Sequence, residues 1–193
     1  MSVSRDDGGS LVQPEWLARW RNTQLTTDEA LLRFDGLDAV GPEELTGRCR
    51  GTGLYTGHRL DGLLERFGWY GKGFVTSESV HPLLFQRSDG RIYSVDPARL
   101  PIGLALAMPS LARSDLARAL FVAWAALLRT SSPTARLRKI EYRGVASAAI
   151  VYDRIPVIDY LRRVDGKRVL GLMDMRSEPQ PFFFMLVSDN LVG

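Results

Sequence analysis

The stretch LRKIEYRGVASAAIVYD, residues 137–153, decides the fold class. In the segment 137–143, Ile140 and Tyr142 alternate with Glu141 and Arg143, and the single residue Gly144 separates it from a second, mostly apolar segment, 145–153. Alternation with a period of two is typical of β-strands. A link this short allows the two strands to pair only in antiparallel fashion, because a parallel crossover needs a dozen or more residues. The stretch therefore predicts an antiparallel hairpin.

Similar segments recur along the chain, and Ser88-Asp89-Gly90 is a hairpin signal between two of them. About eight antiparallel strands suit a closed barrel whose interior holds one small ligand. We therefore predict a mainly β fold, an antiparallel calycin-like closed β-barrel of about eight strands with N-terminal helices and one longer inserted helix. The predicted strands are 47–55, 74–75, 79–87, 91–95, 137–143, 145–153, 168–175 and 181–188.

The remaining segments are arranged around this barrel. Residues 1–12 are polar and predict a disordered tail. Residues 13–46 predict an N-terminal helical segment, in which Thr26 followed by Glu29 matches a capping box. The barrel is expected to span residues 47–188.

Besides a short helix at 59–67, two helices are predicted within the barrel's part of the sequence. Residues 110–128 place Leu116, Leu120 and Trp124 on one side of a helix. Such a helix could cap the barrel mouth, pack on its outside or form a homodimer contact. A second, short helix is predicted at 157–164.

Composition limits the classes of protein that fit. The chain has 193 residues, 45% hydrophobic and 24% charged, which is ordinary for one globular domain. The net charge is +3, but both signs are interleaved and no basic stripe is present, so we expect no nucleic-acid partner. The longest apolar run, residues 119–128, is about half of what a bilayer requires, and we expect no transmembrane segment.

Cysteine and histidine are scarce. One cysteine excludes an internal disulfide, and the N-terminus lacks a signal-peptide pattern. A reducing, cytoplasmic location is the expectation. One cysteine and two histidines cannot form a zinc site of the usual kind, so no metal is expected.

Several segments resemble a two-part bacterial family, the GXWXG domain followed by domain of unknown function 4334. The resemblance covers about residues 25–188. It implies a fold but no reaction, and Cys49 stands where the family motif has tryptophan. The glycine-flanked first strand also looks like the opening strand of lipocalins, fatty-acid-binding proteins and nitrobindins. The family segments include Gly47-Arg48-Cys49-Arg50-Gly51, Gly68-Trp69-Tyr70-Gly71-Lys72, Val80-His81-Pro82, Glu141-Tyr142-Arg143-Gly144, Ile158-Asp159 and Leu170-Gly171-Leu172.

Polar residues of the later strands are candidates for the barrel interior. Asp174 alternates in phase with Leu170 and Leu172, which suggests that it points inward. A carboxylate in apolar surroundings must be paired or its pKa rises, and Arg143 is a possible partner. Such a group could bind a ligand's polar end or act as a general acid or base. Tyr142, Tyr152 and Asp153 are further candidate ligand contacts.

The first half of the chain supplies the other candidates. His81 is a possible proton shuttle or haem ligand. It precedes Pro82, which implies a sheet edge or a bulge. Cys49, if it faces inward, leaves more cavity volume than tryptophan would. Trp69 and Tyr70 supply aromatic surface to a pocket.

These observations lead to one principal functional hypothesis and two alternatives. The principal hypothesis is a protein that binds a hydrophobic small molecule, lipid, polyketide or terpenoid-like, inside the barrel without a cofactor. The first alternative is a cofactor-free cyclase, isomerase or hydratase of a hydrophobic biosynthetic intermediate, with His81 or Asp174 as acid or base. The second is a haem barrel with His81 as the iron ligand.

Overall fold

The computed structural model of the protein describes residues 14–189. The tail predicted at 1–12 lies outside the described residues. Nine strands form one antiparallel sheet, and eight of them close into a barrel through the pairing of β2 with β3. The predicted fold class is confirmed. The strands are β1 Gly47–Leu54, β2 Trp69–Thr76, β3 Ser79–Gln86, β4 Ile92–Ser94, β5 Ala135–Tyr142, β6 Val145–Tyr152, β7 Val157–Arg163, β8 Arg168–Met175 and β9 Glu178–Ser188.

The order of strands around the barrel is β2-β1-β9-β8-β7-β6-β5-β3, and β4 lies outside it, paired only with β3. From β5 to β9 each strand pairs with the next, so this half is a simple meander. The longer crossings are in the first half, where β1 reaches across to β9 and β3 pairs with β5.

The number of barrel strands was predicted, but two memberships were wrong. Residues 157–164 were predicted as a helix and form β7, which pairs with β6 and β8. The short strand β4 was counted in the barrel and lies at its edge. In β7, Val157, Asp159 and Leu161 alternate with Ile158 and Tyr160, which is a β period.

Strand alternation divides the apolar side chains between two clusters. One cluster fills the barrel and includes Phe182 and Phe184, and the other covers part of its outer surface and includes Phe183. A run of three consecutive phenylalanines in β9 is therefore split between the interior and the exterior, as the period of two requires.

Two N-terminal helices bury the outer cluster. They are α1, Glu15–Asn22, and α2, Thr27–Asp35, which begins with the predicted capping box of Thr26 and Glu29. Trp20 packs on Phe183 with ring centroids 5.5 Å apart. Phe34 on α2 is fully buried.

The helical insertion is longer and more broken than predicted. It consists of α4, Ile102–Ala107, α5, Pro109–Ala112, and α6, Asp115–Leu128. Pro109 and the N-cap Ser114 start new helices, because proline has no N–H for the preceding turn and the Ser114 hydroxyl accepts from the Ala117 N–H. A short helix α3, Leu63–Arg66, connects β1 to β2. None of the helices between residues 14 and 189 combines the length and the apolar character needed to cross a membrane.

Candidate functional site

A cavity of about 700 Å³ lies between the barrel interior and the inserted helices. Strands β2, β3, β6, β7, β8 and β9 form its floor and walls, and α3 to α6 form its cover. We call the segment α4–α6, residues 102–128, the lid. Three roles were left open for the helix predicted at 110–128. In the structure this segment covers the barrel mouth.

The cavity walls are almost entirely apolar. They are built from leucine, isoleucine, valine, alanine, methionine, proline and aromatic side chains, with one polar cluster. Two glycines allow the rings of Trp69 and Phe184 to lie directly against the barrel wall. A Cβ on Gly51 would overlap the Trp69 ring, and a Cβ on Gly171 would overlap the Phe184 ring. Gly51 in the first strand and Gly171 in the eighth thus serve a close approach of side chain to backbone.

The polar cluster consists of Lys72, Tyr152 and Asp159, which we call the triad. The Lys72 ammonium lies 2.8 Å from Asp159 Oδ2. It donates to the Tyr152 hydroxyl at 3.1 Å and to the Pro82 carbonyl at 3.1 Å. The Tyr152 hydroxyl donates to Asp159 Oδ2 at 2.9 Å. A buried lysine and a buried aspartate are thus held as a hydrogen-bonded ion pair in an apolar cavity.

The triad is deeply buried. The side chains of Lys72 and Asp159 are 3% and 1% exposed. Burial, and then the neighbouring Asp159 carboxylate, raise the pKa of Tyr152 well above its ordinary value, so Tyr152 is a neutral hydroxyl. The Lys72 ammonium also lies 4.8 Å from the centroid of the Phe184 ring, a cation–π distance.

Local backbone geometry explains why Lys72 reaches this position. The pairing of β2 with β3 is irregular between Gly71 and Gly73, where Pro82 and Leu83 of β3 lie opposite the single residue Lys72 of β2. Pro82 lies in this bulge, and its carbonyl accepts from Lys72. Pro82 was predicted to mark a sheet edge or a bulge, and the register shift shows that it lies in a bulge.

Two polar atoms of the cavity wall have no hydrogen-bond partner among the described residues. They are Asp159 Oδ1 and Trp69 Nε1, and both are fully buried. An unsatisfied buried acceptor or donor costs free energy, about 1–3 kcal/mol. The polar end of the cavity therefore retains one acceptor and one donor.

Of the predicted site residues, Trp69 and Tyr152 line the cavity. Lys72 and Asp159, which complete the polar cluster, were missed as functional candidates. Asp159 was placed in the mistaken helix, and Lys72 was noted only as the last residue of a family segment. The signal was present for Asp159, since it alternates in phase with Val157 and Leu161, which both face the interior.

Asp174 does not point inward. It shares its face with Leu170 and Leu172, but these belong to the outer cluster, and Asp174 is exposed. Arg143 is not its partner, because the Arg143 guanidinium binds both oxygens of Asp35 at 2.6 Å. The alternation was correct, but the assignment of that face to the interior was wrong.

Tyr142 and Asp153 also lie away from the cavity. Tyr142 stacks on Tyr160 with centroids 3.8 Å apart, beneath Phe34 of α2. Asp153 pairs with Arg136 at 3.0 Å, and its side chain is partly exposed.

His81 is on the outer face of β3. Its Nδ1 lies 3.1 Å from the Ser94 hydroxyl of β4, and it pairs across the sheet with Gly73. The sheet separates its imidazole from the cavity, so a haem seated in the cavity would not meet it. Tyr70 also points away from the cavity, where its hydroxyl donates to Asp189 and Arg50 lies over its ring.

Cys49 faces the barrel interior but does not line the large cavity. It lines a second cavity of about 250 Å³, together with residues of β7, β8 and the loop between them. Burial, and then the Asp189 carboxylate, raise the pKa of its thiol to about 12. The volume left by cysteine in place of tryptophan therefore belongs to the second cavity, although Cys49 pairs across the strands with Lys72.

Comparison with known families agrees with this architecture. Residues 32–90 match a family model described as GXWXG protein, and residues 133–187 match one described as domain of unknown function (DUF4334). The chain belongs to this two-part GXWXG–DUF4334 family. Lys72 comes from the GXWXG part, and Tyr152 and Asp159 come from the DUF4334 part. The lid lies between the two matched segments.

A similar fold is found among solved structures. A crystal structure of a protein from Thermomonospora curvata shares 29% sequence identity with this GXWXG–DUF4334 chain and aligns with a TM-score of 0.66. The alignment covers 91% of this chain and 97% of that one. No curated protein matches the chain.

Proposed function

We propose that the protein binds one hydrophobic small molecule in the 700 Å³ cavity between barrel and lid. The observation that carries the proposal is the composition of the walls, which are apolar except at the triad. Ligand sites typically have this form, with a few fixed polar groups among apolar side chains. A volume of this size is within the usual range for small-molecule sites, about 300–1,000 Å³.

The triad supports a directional mode of binding. The charges of Lys72 and Asp159 neutralise each other. The triad is therefore a fixed polar group in the cavity wall that needs no counterion from solvent. A ligand with one polar end and an apolar body would place that end at the triad and its body under the lid. The lid then determines access, since Leu116, Leu120 and Trp124 line the cavity and are more than half exposed.

Titration with Nile red, a neutral apolar dye, tests the proposal. We expect saturable fluorescence enhancement with one site per chain. Ala117→Trp should weaken dye binding at least tenfold, because Ala117 lines the cavity and the larger side chain fills it. Val122→Trp on the same helix is the matched control, because Val122 is exposed and does not line the cavity. Equal dye binding by both variants and wild type would refute the proposal.

A second candidate function, a cofactor-free cyclase, isomerase or hydratase, is favoured by one observation. Asp159 Oδ1 is an acceptor without a partner among the described residues, and the neutral Tyr152 hydroxyl lies beside it. A carboxylate oxygen and a phenol in one apolar cavity are a possible base and acid. The triad would take the role that had been predicted for His81 or Asp174.

Hydrogen exchange of the ligand separates the two candidates. The ligand that co-purifies with the protein is incubated with it in D₂O, extracted and weighed by mass spectrometry. An enzyme that moves protons should introduce deuterium at carbon, and Asp159→Asn should abolish this while the ligand remains bound. A pure binding protein should return the ligand with its carbon-bound hydrogens unchanged.

A further inference from the structure

The hydrogen-bonding capacity of the triad is unevenly used. Lys72 has three N–H donors, and all three have acceptors: the Pro82 carbonyl, the Tyr152 hydroxyl and Asp159 Oδ2. Lys72 therefore has no donor left for a ligand. The Tyr152 hydroxyl has also used its single donor, on Asp159.

What remains is an acceptor and a separate donor. The acceptor is Asp159 Oδ1, and the donor is Trp69 Nε1. Both residues line the cavity, and Lys72 lies beside both, 2.8 Å from Asp159 Oδ2 and 5.9 Å from the centroid of the Trp69 ring. A ligand group that satisfies both must donate one hydrogen bond and accept another. A hydroxyl does this with a single oxygen atom.

Charge gives the same answer independently. The Lys72 ammonium is neutralised by Asp159, and the surrounding walls carry no other charged side chain. A ligand carboxylate here would lose its hydration and meet the free oxygen of Asp159, with no uncompensated cation to offset either effect. An uncharged ligand avoids both costs.

We propose that the cavity selects neutral apolar alcohols, whose hydroxyl donates to Asp159 Oδ1 and accepts from Trp69 Nε1, and discriminates against fatty acids. The inference rests on the proposed function and specifies its ligand class. Both wall atoms are buried, so the hydroxyl reaches them through a small rotation of the two side chains. Lys72 is a positioning residue, because it holds Asp159 Oδ2 and so leaves Oδ1 as the carboxylate oxygen available to the ligand.

A series of ligands that share one apolar tail tests this selectivity. Dodecanol, methyl dodecyl ether and dodecanoate at neutral pH are used to displace Nile red from the wild-type protein. Dodecanol should bind about tenfold more tightly than either of the others, since only the alcohol satisfies the buried acceptor. The ether oxygen can still accept a hydrogen bond from Trp69 but cannot donate one to Asp159. The ratio of the alcohol's affinity to the ether's affinity therefore measures the Asp159 contact.

Two variants assign the contacts. Asp159→Asn leaves the Lys72 charge unpaired, so dodecanol should lose about tenfold in affinity and dodecanoate should gain. Trp69→Phe removes only the indole donor, so alcohol and ether should weaken by the same factor, about fivefold. Asp174→Asn removes an exposed carboxylate outside the cavity and should change none of these affinities.

The outcomes separate this inference from the proposed function. If Nile red binds but dodecanoate or the ether competes as well as dodecanol, the alcohol selectivity is wrong and the binding function stands. If neither Nile red nor dodecanol binds, both are wrong. If Asp159→Asn fails to fold, the equal loss for alcohol and ether in Trp69→Phe and the wild-type ligand order still decide the question.

Discussion

At the scale of single residues, the account depends on an ion pair in an apolar cavity. Lys72 and Asp159 are almost completely buried, and each is the other's charge partner. The Coulomb attraction of such a pair roughly offsets the cost of removing both charges from water, whereas one charge alone is strongly unfavourable. We therefore interpret the triad as a feature retained for ligand recognition rather than for stability.

This interpretation predicts the stability of triad variants. Asp159→Leu should reduce the free energy of unfolding by about 3–5 kcal/mol, because it leaves the Lys72 ammonium buried and unpaired. The triple variant Lys72→Met, Tyr152→Phe, Asp159→Leu should recover most of that loss, since no buried charge is left without a partner. Urea unfolding measures both. A triple variant less stable than the single variant would contradict the interpretation.

Cys49 makes a separate prediction about alkaline pH. Its thiol has a pKa of about 12 in the folded protein against 9.0 for an ordinary thiol. Between these values the unfolded chain releases a proton that the folded chain retains, so unfolding becomes easier as pH rises. Wild type should therefore lose stability relative to Cys49→Ala between neutral pH and about pH 11. The urea midpoints of the two proteins are compared across this pH range. A difference between the midpoints that stays constant with pH would contradict the prediction.

The site was only partly predictable from the sequence. Trp69 and Tyr152 were selected because aromatic and alternating residues suggested a lined interior. Asp174 was selected by the same alternation, but a period of two identifies a shared face and not which face is inside. The inner face of β8 became evident only once α1 and α2 were seen to cover the outer one.

At the scale of elements, local pattern predicted the strands that form hairpins. The β5–β6 pair and the strand β8 were found close to their predicted bounds, because turn residues and alternation mark them directly. The strand β7 was missed, because its charged residues at Asp159, Arg162 and Arg163 are buried or paired only in the tertiary structure. The prediction of a helix at 157–164 was made without knowledge of these tertiary contacts.

The lid is the element whose packing is least complete. In α4, α5 and α6 only Leu106 and Ala125 are buried apolar residues. The lid contributes many residues to the cavity wall, so a bound ligand would supply much of the apolar surface on which these helices pack. We infer that the lid opens at lower free-energy cost than the barrel.

Hydrogen–deuterium exchange measures this difference. Amides of residues 115–128 should exchange faster than those of β8 and β9, which are central strands with partners on both sides. Saturation with dodecanol should slow exchange in the lid and leave the barrel strands unchanged. Lid amides as protected as β8 without ligand, or unaffected by dodecanol, would contradict the expected opening.

At the scale of the whole molecule, the two parts of the family form one barrel and share one site. The fold class could be predicted from alternation, short links and strand count. The site could not, because Lys72 and Asp159 are separated by 87 positions in the chain and meet only through barrel closure. The lid lies between the two matched segments, so most of the cover of the cavity, all but α3, is carried by a part of the chain that neither family model matches.

The most direct test of the central claim is native mass spectrometry of the freshly purified protein, before and after addition of dodecanol. The account predicts a complex of one chain with one apolar molecule, either co-purified or taken up from the added dodecanol, which Nile red displaces. A wild-type protein that stays at its bare mass under both conditions, or that binds a variable number of molecules without competition from the dye, would contradict the claim that this cavity is a ligand site.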